Sequence, residues 1–132
     1  MNYLLDTHTL IWSILDTGKL SIKAKDTIED PENLILVSVV NFWEISLKYS
    51  LGKLELKGIS PDEFHDLAVE TGFELISLSP EETSSYHNLE GDWHRDPFDR
   101  MLIWQAIQRD LILISKDKAM ENYQEDGLNT VW

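Results

Sequence analysis

The chain has 132 residues, of which 42% are hydrophobic and 27% charged, with 6 Gly and 4 Pro. This globular composition predicts a single domain over residues 1–132 and excludes a disordered, collagen-like or low-complexity chain. Because the sequence contains no Cys, disulfide scaffolds, thiolate zinc sites, iron–sulfur clusters and cysteine nucleophiles are excluded. There is no long apolar run and no basic leader, so we expect a soluble, cytoplasmic protein with no membrane partner.

The charge is strongly negative and unevenly distributed. Asp and Glu number 24 against 11 Lys and Arg, a formal net charge of −13. Residues 60–92 contain many acids and no Lys or Arg, which indicates a solvated flank rather than the working surface. A nucleic-acid substrate is compatible with this composition if metal ions or a second subunit supply positive charge.

Apolar runs typical of buried strands alternate with segments of helical spacing. This order predicts the α/β class, with a central, mostly parallel sheet of about five strands flanked by helices in three layers. The predicted strands are 3–5, 34–37, 73–78, 111–114 and 129–132. The predicted helices contain residues 10–15, 21–29, 39–51, 61–71, the segment from Pro80, 101–107, and a last short helix with Met120 and Tyr123. The helix at 39–51 is expected to be buried over a wide arc.

Acidic residues recur where the predicted strands end. Asp6 follows the first strand, Glu44 lies early in the helix after the second, and Asp117 follows the fourth. Asp96 and Asp99 open the apolar helix that precedes the fourth strand. The strand-to-helix turns of a parallel sheet meet at one edge, and carboxylates gathered there repel one another unless a cation joins them. Hard oxygen ligands without Cys or paired His favour Mg²⁺ or Mn²⁺ over zinc.

Each acid also has a simpler structural interpretation. Asp is a favoured N-cap, so Asp6, Asp96 and Asp117 can each cap the helix that follows. Glu44 can form an ion pair with Lys48 four residues later. However, Glu44 lies on a largely apolar helix, where a desolvated carboxylate needs a strong partner. One common cause explains the set more simply than separate local causes.

Other candidate groups carry weaker signals. Arg95 and Arg100 flank the acids and are candidate substrate-binding residues through phosphate contacts, with an ion pair to a neighbouring Asp as the alternative. His94 is another candidate phosphate contact, although the four His show no metal-ligand spacing and are expected at the surface. The five Trp are expected in the core or a subunit interface rather than as base-stacking platforms. No Gly-rich phosphate loop or nucleophile elbow is present.

Four motifs in this order resemble the PIN-domain ribonuclease toxins of the VapC type, over nearly the whole chain. They are Leu5-Asp6-Thr7-His8, Asn41-Phe42-Trp43-Glu44-Ile45 with Lys48, His94-Arg95-Asp96-Pro97-Phe98-Asp99-Arg100, and Ile114-Ser115-Lys116-Asp117. The resemblance implies a PIN-like fold, Mg²⁺- or Mn²⁺-dependent endoribonuclease activity, a homodimer, and neutralisation by a small antitoxin. It also implies that Asp6, Glu44, Asp99 and Asp117 are the catalytic, metal-binding acids, and leaves a ligand role for Asp96 open.

The expected reaction is hydrolysis of an RNA phosphodiester by metal-activated water, without a covalent protein intermediate. Three alternatives remain at this point. They are a metal-dependent DNase or flap-type nuclease, a catalytically idle interaction module, and a phosphatase with an aspartyl nucleophile, which is disfavoured because no second Asp lies two residues after Asp6.

Overall fold

The computed structural model describes residues 1–132 and contains one five-stranded sheet in which every neighbouring pair is parallel. The strand order is β3-β2-β1-β4-β5. Successive connections therefore lead away from β1 on one side through β2 and β3, and on the other through β4 and β5. The point where the direction reverses, between β1 and β4, is where open parallel sheets form ligand sites. The strands are β1 (Asn2–Leu5), β2 (Leu34–Ser38), β3 (Glu74–Ile76), β4 (Ile112–Ile114) and β5 (Asn129–Val131).

Helices cover both faces of the sheet, because successive side chains of a strand point to opposite faces. Leu4 of β1 joins one buried cluster with residues of α6, while Leu5 joins the other with residues of α1 and α4. The α-helices are α1 (Thr7–Leu15), α2 (Ile22–Glu29), α3 (Val39–Ser50), α4 (Phe64–Thr71), α5 (Pro80–Ser85) and α6 (Pro97–Gln108). Single 3₁₀ turns lie at Thr17–Lys19, Pro61–Glu63 and Tyr86–Asn88, and a longer 3₁₀ helix spans Lys118–Asp126.

The predicted α/β class, the five strands and their parallel pairing are confirmed. The predicted short helix with Met120 and Tyr123 is present as the 3₁₀ helix Lys118–Asp126. One expectation on the helices was wrong. Helix α3 is buried on one side only, since Trp43 is 63% and Leu47 40% exposed; helical spacing shows which residues share a face but not whether a neighbour covers it. None of the helices has the length and apolar character needed to cross a membrane.

Candidate functional site

The turns after β1 and β4 place two acids beside the reversal point of the sheet. Asp6 is buried and caps α1, its Oδ1 accepting a hydrogen bond from the Thr9 amide at 2.8 Å. Burial raises the pKa of Asp6, and hydrogen bonds from Ser115 and Thr9 oppose that rise only in part. Asp117 borders the same cleft as Asp6. The two strand ends therefore bring residues distant in sequence to one opening.

Glu44 lies on helix α3, which packs beside the end of β1. Its side chain is only 3% exposed, and its Oε1 accepts a hydrogen bond from the Thr7 hydroxyl. Asn41, one turn earlier, donates to the Leu5 carbonyl at 3.2 Å and to the Thr7 hydroxyl at 3.1 Å. The Asn41 Oδ1 also accepts from the Ser38 amide at 2.9 Å, closing a capping box at the start of α3. This network ties the end of β1 to α3 and holds Glu44 in one orientation.

Lys48 provides the main positive charge among these carboxylates. Its ammonium donates to Glu44 Oε2 and, at 3.2 Å, to Asp96 Oδ2. The other oxygen of Asp96 caps α6 by accepting from the Phe98 amide at 2.8 Å. The predicted ion pair between Glu44 and Lys48 and the predicted Asp96 cap are thus both present. The ammonium therefore joins helices α3 and α6 across the site.

Asp99, in the first turn of α6, lies in an excess of negative charge. Burial and then the charges of Glu44 and Asp96 raise the pKa of this carboxyl from 3.8 to about 7, and His94 and Lys48 counter them only partly. The raised pKa therefore reflects desolvation of the carboxyl first and the charges of the neighbouring acids second. A cation placed beside Asp99 would relieve the second contribution.

Asp117 is held by a histidine that the sequence did not assign to it. His94 Nε2 lies 2.7 Å from Asp117 Oδ2, and Asp117 Oδ1 accepts from the Ala119 amide at 2.9 Å. Burial acts to raise the pKa of Asp117, but these two hydrogen bonds and the charge of His94 outweigh it and leave the pKa lowered. The backbone of His94 is also held, because its amide donates a hydrogen bond to the Tyr123 hydroxyl at 2.8 Å. The expectation that His94 lies at the surface was wrong, because its side chain is only 9% exposed.

The loop that carries His94 is anchored by Arg100. The guanidinium donates to the carbonyls of Leu89, Gly91 and His94. Gly91 packs so closely on Tyr123 that an added Cβ would lie 2.8 Å from the ring. These contacts assign Arg100 to loop positioning, and its predicted contact with substrate stays a prediction without geometric support. Arg95 is exposed and has no ion pair.

The carboxylate oxygens are suitable ligands for a hard divalent cation, but the side chains are not arranged as a coordination site. No three His, Asp or Glu side chains converge on a point that could hold a metal ion. Lys48 lies between Glu44 and Asp96, and His94 engages Asp117. The negative charge around Asp99 is what a cation would relieve. The residues therefore fit Mg²⁺ or Mn²⁺ by charge and chemistry, with side-chain rotation required for coordination.

The predicted acids lie around one edge of the sheet, and three of them are also the N-caps that their sequence positions suggested. Sequence reasoning missed the positioning groups. Neither Thr7 nor Asn41 was expected to orient Glu44, and His94 was considered only as a candidate phosphate contact. The spacing from Ser38 to Asn41 is a capping-box signal that could have been read in advance, whereas nothing local pairs His94 with Asp117.

The comparisons with known proteins identify the family of the chain. The PIN domain family matches residues 3–126. The chain belongs to the PIN-domain family. It is 23% identical over 129 residues to Ribonuclease VapC22 of Mycobacterium tuberculosis (strain ATCC 25618 / H37Rv), covering 98% of this chain and 97% of that protein. The predicted resemblance to PIN-domain proteins of the VapC type is thereby confirmed.

Solved structures share the fold. VapBC2 from Rickettsia felis, bound to a DNA fragment from its promoter, superposes with a TM-score of 0.72 at 18% identity, covering 100% of this chain and 99% of that one. VapBC-1 from nontypeable Haemophilus influenzae gives a TM-score of 0.67 at 16% identity, covering 99% and 97%. At such identities the likeness establishes the PIN-like fold of this chain.

Proposed function

We propose that this PIN-domain protein is a Mg²⁺- or Mn²⁺-dependent endoribonuclease and the toxin of a toxin–antitoxin pair. The observations that carry the proposal are that Asp6 and Asp117 border one cleft, and that Glu44, hydrogen-bonded to Thr7 beside Asp6, lies close enough to Asp99 to help raise its pKa. The name of the similar mycobacterial ribonuclease supports the choice of RNA. Such a toxin acts in the cytoplasm, where its RNA substrate is found.

The residues of the chain have distinct roles in this proposal. Asp6 and Glu44 are buried, oriented acids that would hold the cation with Asp99, while Asp117 would complete the set from β4. A bound Mg²⁺ or Mn²⁺ supplies activated water and offsets the charge of the phosphodiester. With a pKa raised to about 7, Asp99 is partly protonated near neutral pH, and a positive charge placed beside it would favour the ionised form that can hold a cation. The neighbouring Asp96 caps α6 and pairs with Lys48, and a ligand role for it stays open.

The test is cleavage of a labelled RNA by the purified chain with Mg²⁺, Mn²⁺ or EDTA. Asp6→Asn and Glu44→Gln should lower the rate by at least about 100-fold, with the circular dichroism spectrum retained. Asp26→Asn and Glu70→Gln make the same chemical changes at exposed positions and should cleave like the wild type. Metal-dependent cleavage that persists in a folded Asp6→Asn protein would overturn the proposal.

A matched DNA strand separates the proposed activity from the DNase alternative. The account expects RNA to be cut and DNA of the same sequence to be left intact; equal cleavage of DNA would favour a flap-type or general nuclease. The idle-module alternative predicts neither cleavage nor Mn²⁺ binding by calorimetry. Mn²⁺ binding that is lost in Glu44→Gln would contradict that alternative.

The exposed stripe on α3 supports a homodimer. Val39, Trp43 and Leu47 are spaced four residues apart, so they lie on one face of the helix, and they are 39%, 63% and 40% exposed. Trp43 is fixed edge-on against Phe98 of α6. We propose that a second copy covers this face. Light scattering should give a dimer mass for the wild type and a monomer mass for Trp43→Ser.

A small antitoxin is the second proposed partner. Its support is that the similar structures from Rickettsia felis and Haemophilus influenzae are described as VapBC proteins. A short reading frame beside the gene, expressed together with this chain, should co-purify with it and suppress its RNA cleavage. Unchanged cleavage in the presence of the neighbouring product would remove that partner from the proposal.

A further inference from the structure

Three lysines lie in a cleft beside the ends of β4 and β5, next to the candidate site. Lys23, Lys116 and Lys118 line one cleft of about 300 Å³, which also contains Asp117 and Glu121. A second cleft, of about 350 Å³, contains Lys116 and Asp117 together with Asp6, His8 and Trp12. Lys116 and Asp117 are common to both clefts, so the basic cleft continues directly into the proposed active site.

These lysines stand out because most other cations of this acidic chain are engaged. Lys19, Lys48, Lys57 and Arg109 form ion pairs with acids, and Arg100 donates to carbonyls. None of the three cleft lysines has an ion pair or a hydrogen bond to an acid. Apart from Arg100, which donates only to carbonyls, the Lys and Arg residues without an acidic partner are Lys23, Lys25, Lys53, Arg95, Lys116 and Lys118.

Aromatic rings adjoin these lysines. The Trp12 indole, half-buried on α1, lies 5.6 Å from the ring of exposed His8 and 6.0 Å from that of Trp132. The Lys116 ammonium lies over the Trp12 ring at 5.8 Å from its centroid. Trp12 packs against the core, as expected for the Trp residues, and its ring also borders the cleft. An aromatic ring flanked by unpaired cations is the arrangement that binds single-stranded nucleic acid.

We propose that this surface binds the nucleotides adjoining the scissile phosphate of a single-stranded RNA, with one base stacked on Trp12 and the flanking phosphates paired with Lys116, Lys118 and Lys23. The inference rests on the proposed ribonuclease function and names a substrate subsite for it. A base displaces the Lys116 ammonium from the indole because an exposed cation–π contact is weaker than stacking of a base on an aromatic ring. The released ammonium then pairs with a phosphate, and the strand is led from the lysines to the carboxylates.

The test measures binding of a short, fluorescently labelled single-stranded RNA to the full chain in EDTA, over a series of KCl concentrations. Trp12→Leu should weaken binding by about tenfold without changing the salt dependence, whereas Trp12→Phe keeps an aromatic face and should restore most of the affinity. Lys116→Gln should lower the slope of log K against log salt by about 0.7, the value for one phosphate contact on a single strand. Lys25→Gln, on the same helix as Lys23 but outside the cleft, should change neither quantity.

Cleavage kinetics with Mg²⁺ distinguish failure of this inference from failure of the function. Trp12→Leu should raise KM by about the same factor as it weakens binding and leave kcat nearly unchanged. If the chain cleaves RNA but folded Trp12→Leu and Lys116→Gln bind and cleave like the wild type, the function stands and the subsite is refuted. In that case a protein partner is the better occupant of this surface. If the wild-type chain neither binds nor cleaves RNA, the proposed function itself fails.

Discussion

Replacing Asp99 by Asn should make the metal-free protein more stable above neutral pH. The pKa of Asp99 is raised from 3.8 to about 7, first by burial and then by Glu44 and Asp96. Between those values the folded chain holds a proton that the unfolded chain has released, so the free energy of unfolding falls as pH rises. The full shift corresponds to about 4 kcal/mol, and because the side chain is partly exposed, solvent screening reduces it to roughly 2 kcal/mol.

The assay is urea unfolding followed by tryptophan fluorescence in EDTA, above the sequence pI of about 4.5. Asp99→Asn should exceed the wild type by roughly 2 kcal/mol at about pH 8, and the difference should shrink toward about pH 5.5. Saturating Mg²⁺ should stabilise the wild type more than the variant, because the variant lacks the charge that the cation neutralises. Asp26→Asn, at an exposed position, is the control. A difference between Asp99→Asn and wild type that does not vary with pH would refute the reasoning.

Three further substitutions test the positioning groups. Lys48→Met leaves the buried Glu44 carboxylate without its cation and should destabilise the metal-free chain by about 2–3 kcal/mol, while Mn²⁺ binding by calorimetry becomes tighter. Asn41→Ala removes the network at the start of α3 and should lower the urea-derived stability by about 2 kcal/mol or more at any metal concentration. Arg100→Gln should loosen the loop that carries His94 and lower kcat by about tenfold, with little change in melting temperature; an unchanged kcat would leave the loop without a part in catalysis.

The sheet and the placement of the acids could be predicted from the sequence because both depend on local patterns. The apolar runs at 34–37 and 111–114 lack polar alternation, as in strands covered on both faces. Parallel connections then carry every strand-to-helix turn to the same edge. This rule is sufficient to bring Asp6 and Asp117 together.

The partners of those acids could not be predicted in the same way. The contact between His94 and Asp117 depends on a loop seated on Tyr123 and held by Arg100, and no periodic pattern specifies such packing. The position of Trp12 beside a cleft could not be predicted either. Helical spacing predicts that Trp12 faces the core side of α1, but it does not show that the ring also borders a cleft. The exposure of Trp43 likewise depends on tertiary packing, because helical spacing does not show whether another element covers that face of α3.

A crystal of the chain soaked in MnCl₂ and measured at the manganese absorption edge tests the central claim most directly. The account predicts an anomalous peak bordered by Asp6, Glu44 and Asp99, with Lys48 turned away from it, and no such peak in Asp99→Asn. Manganese bound only along the acidic segment at residues 60–92, or no ordered manganese at all, would contradict it.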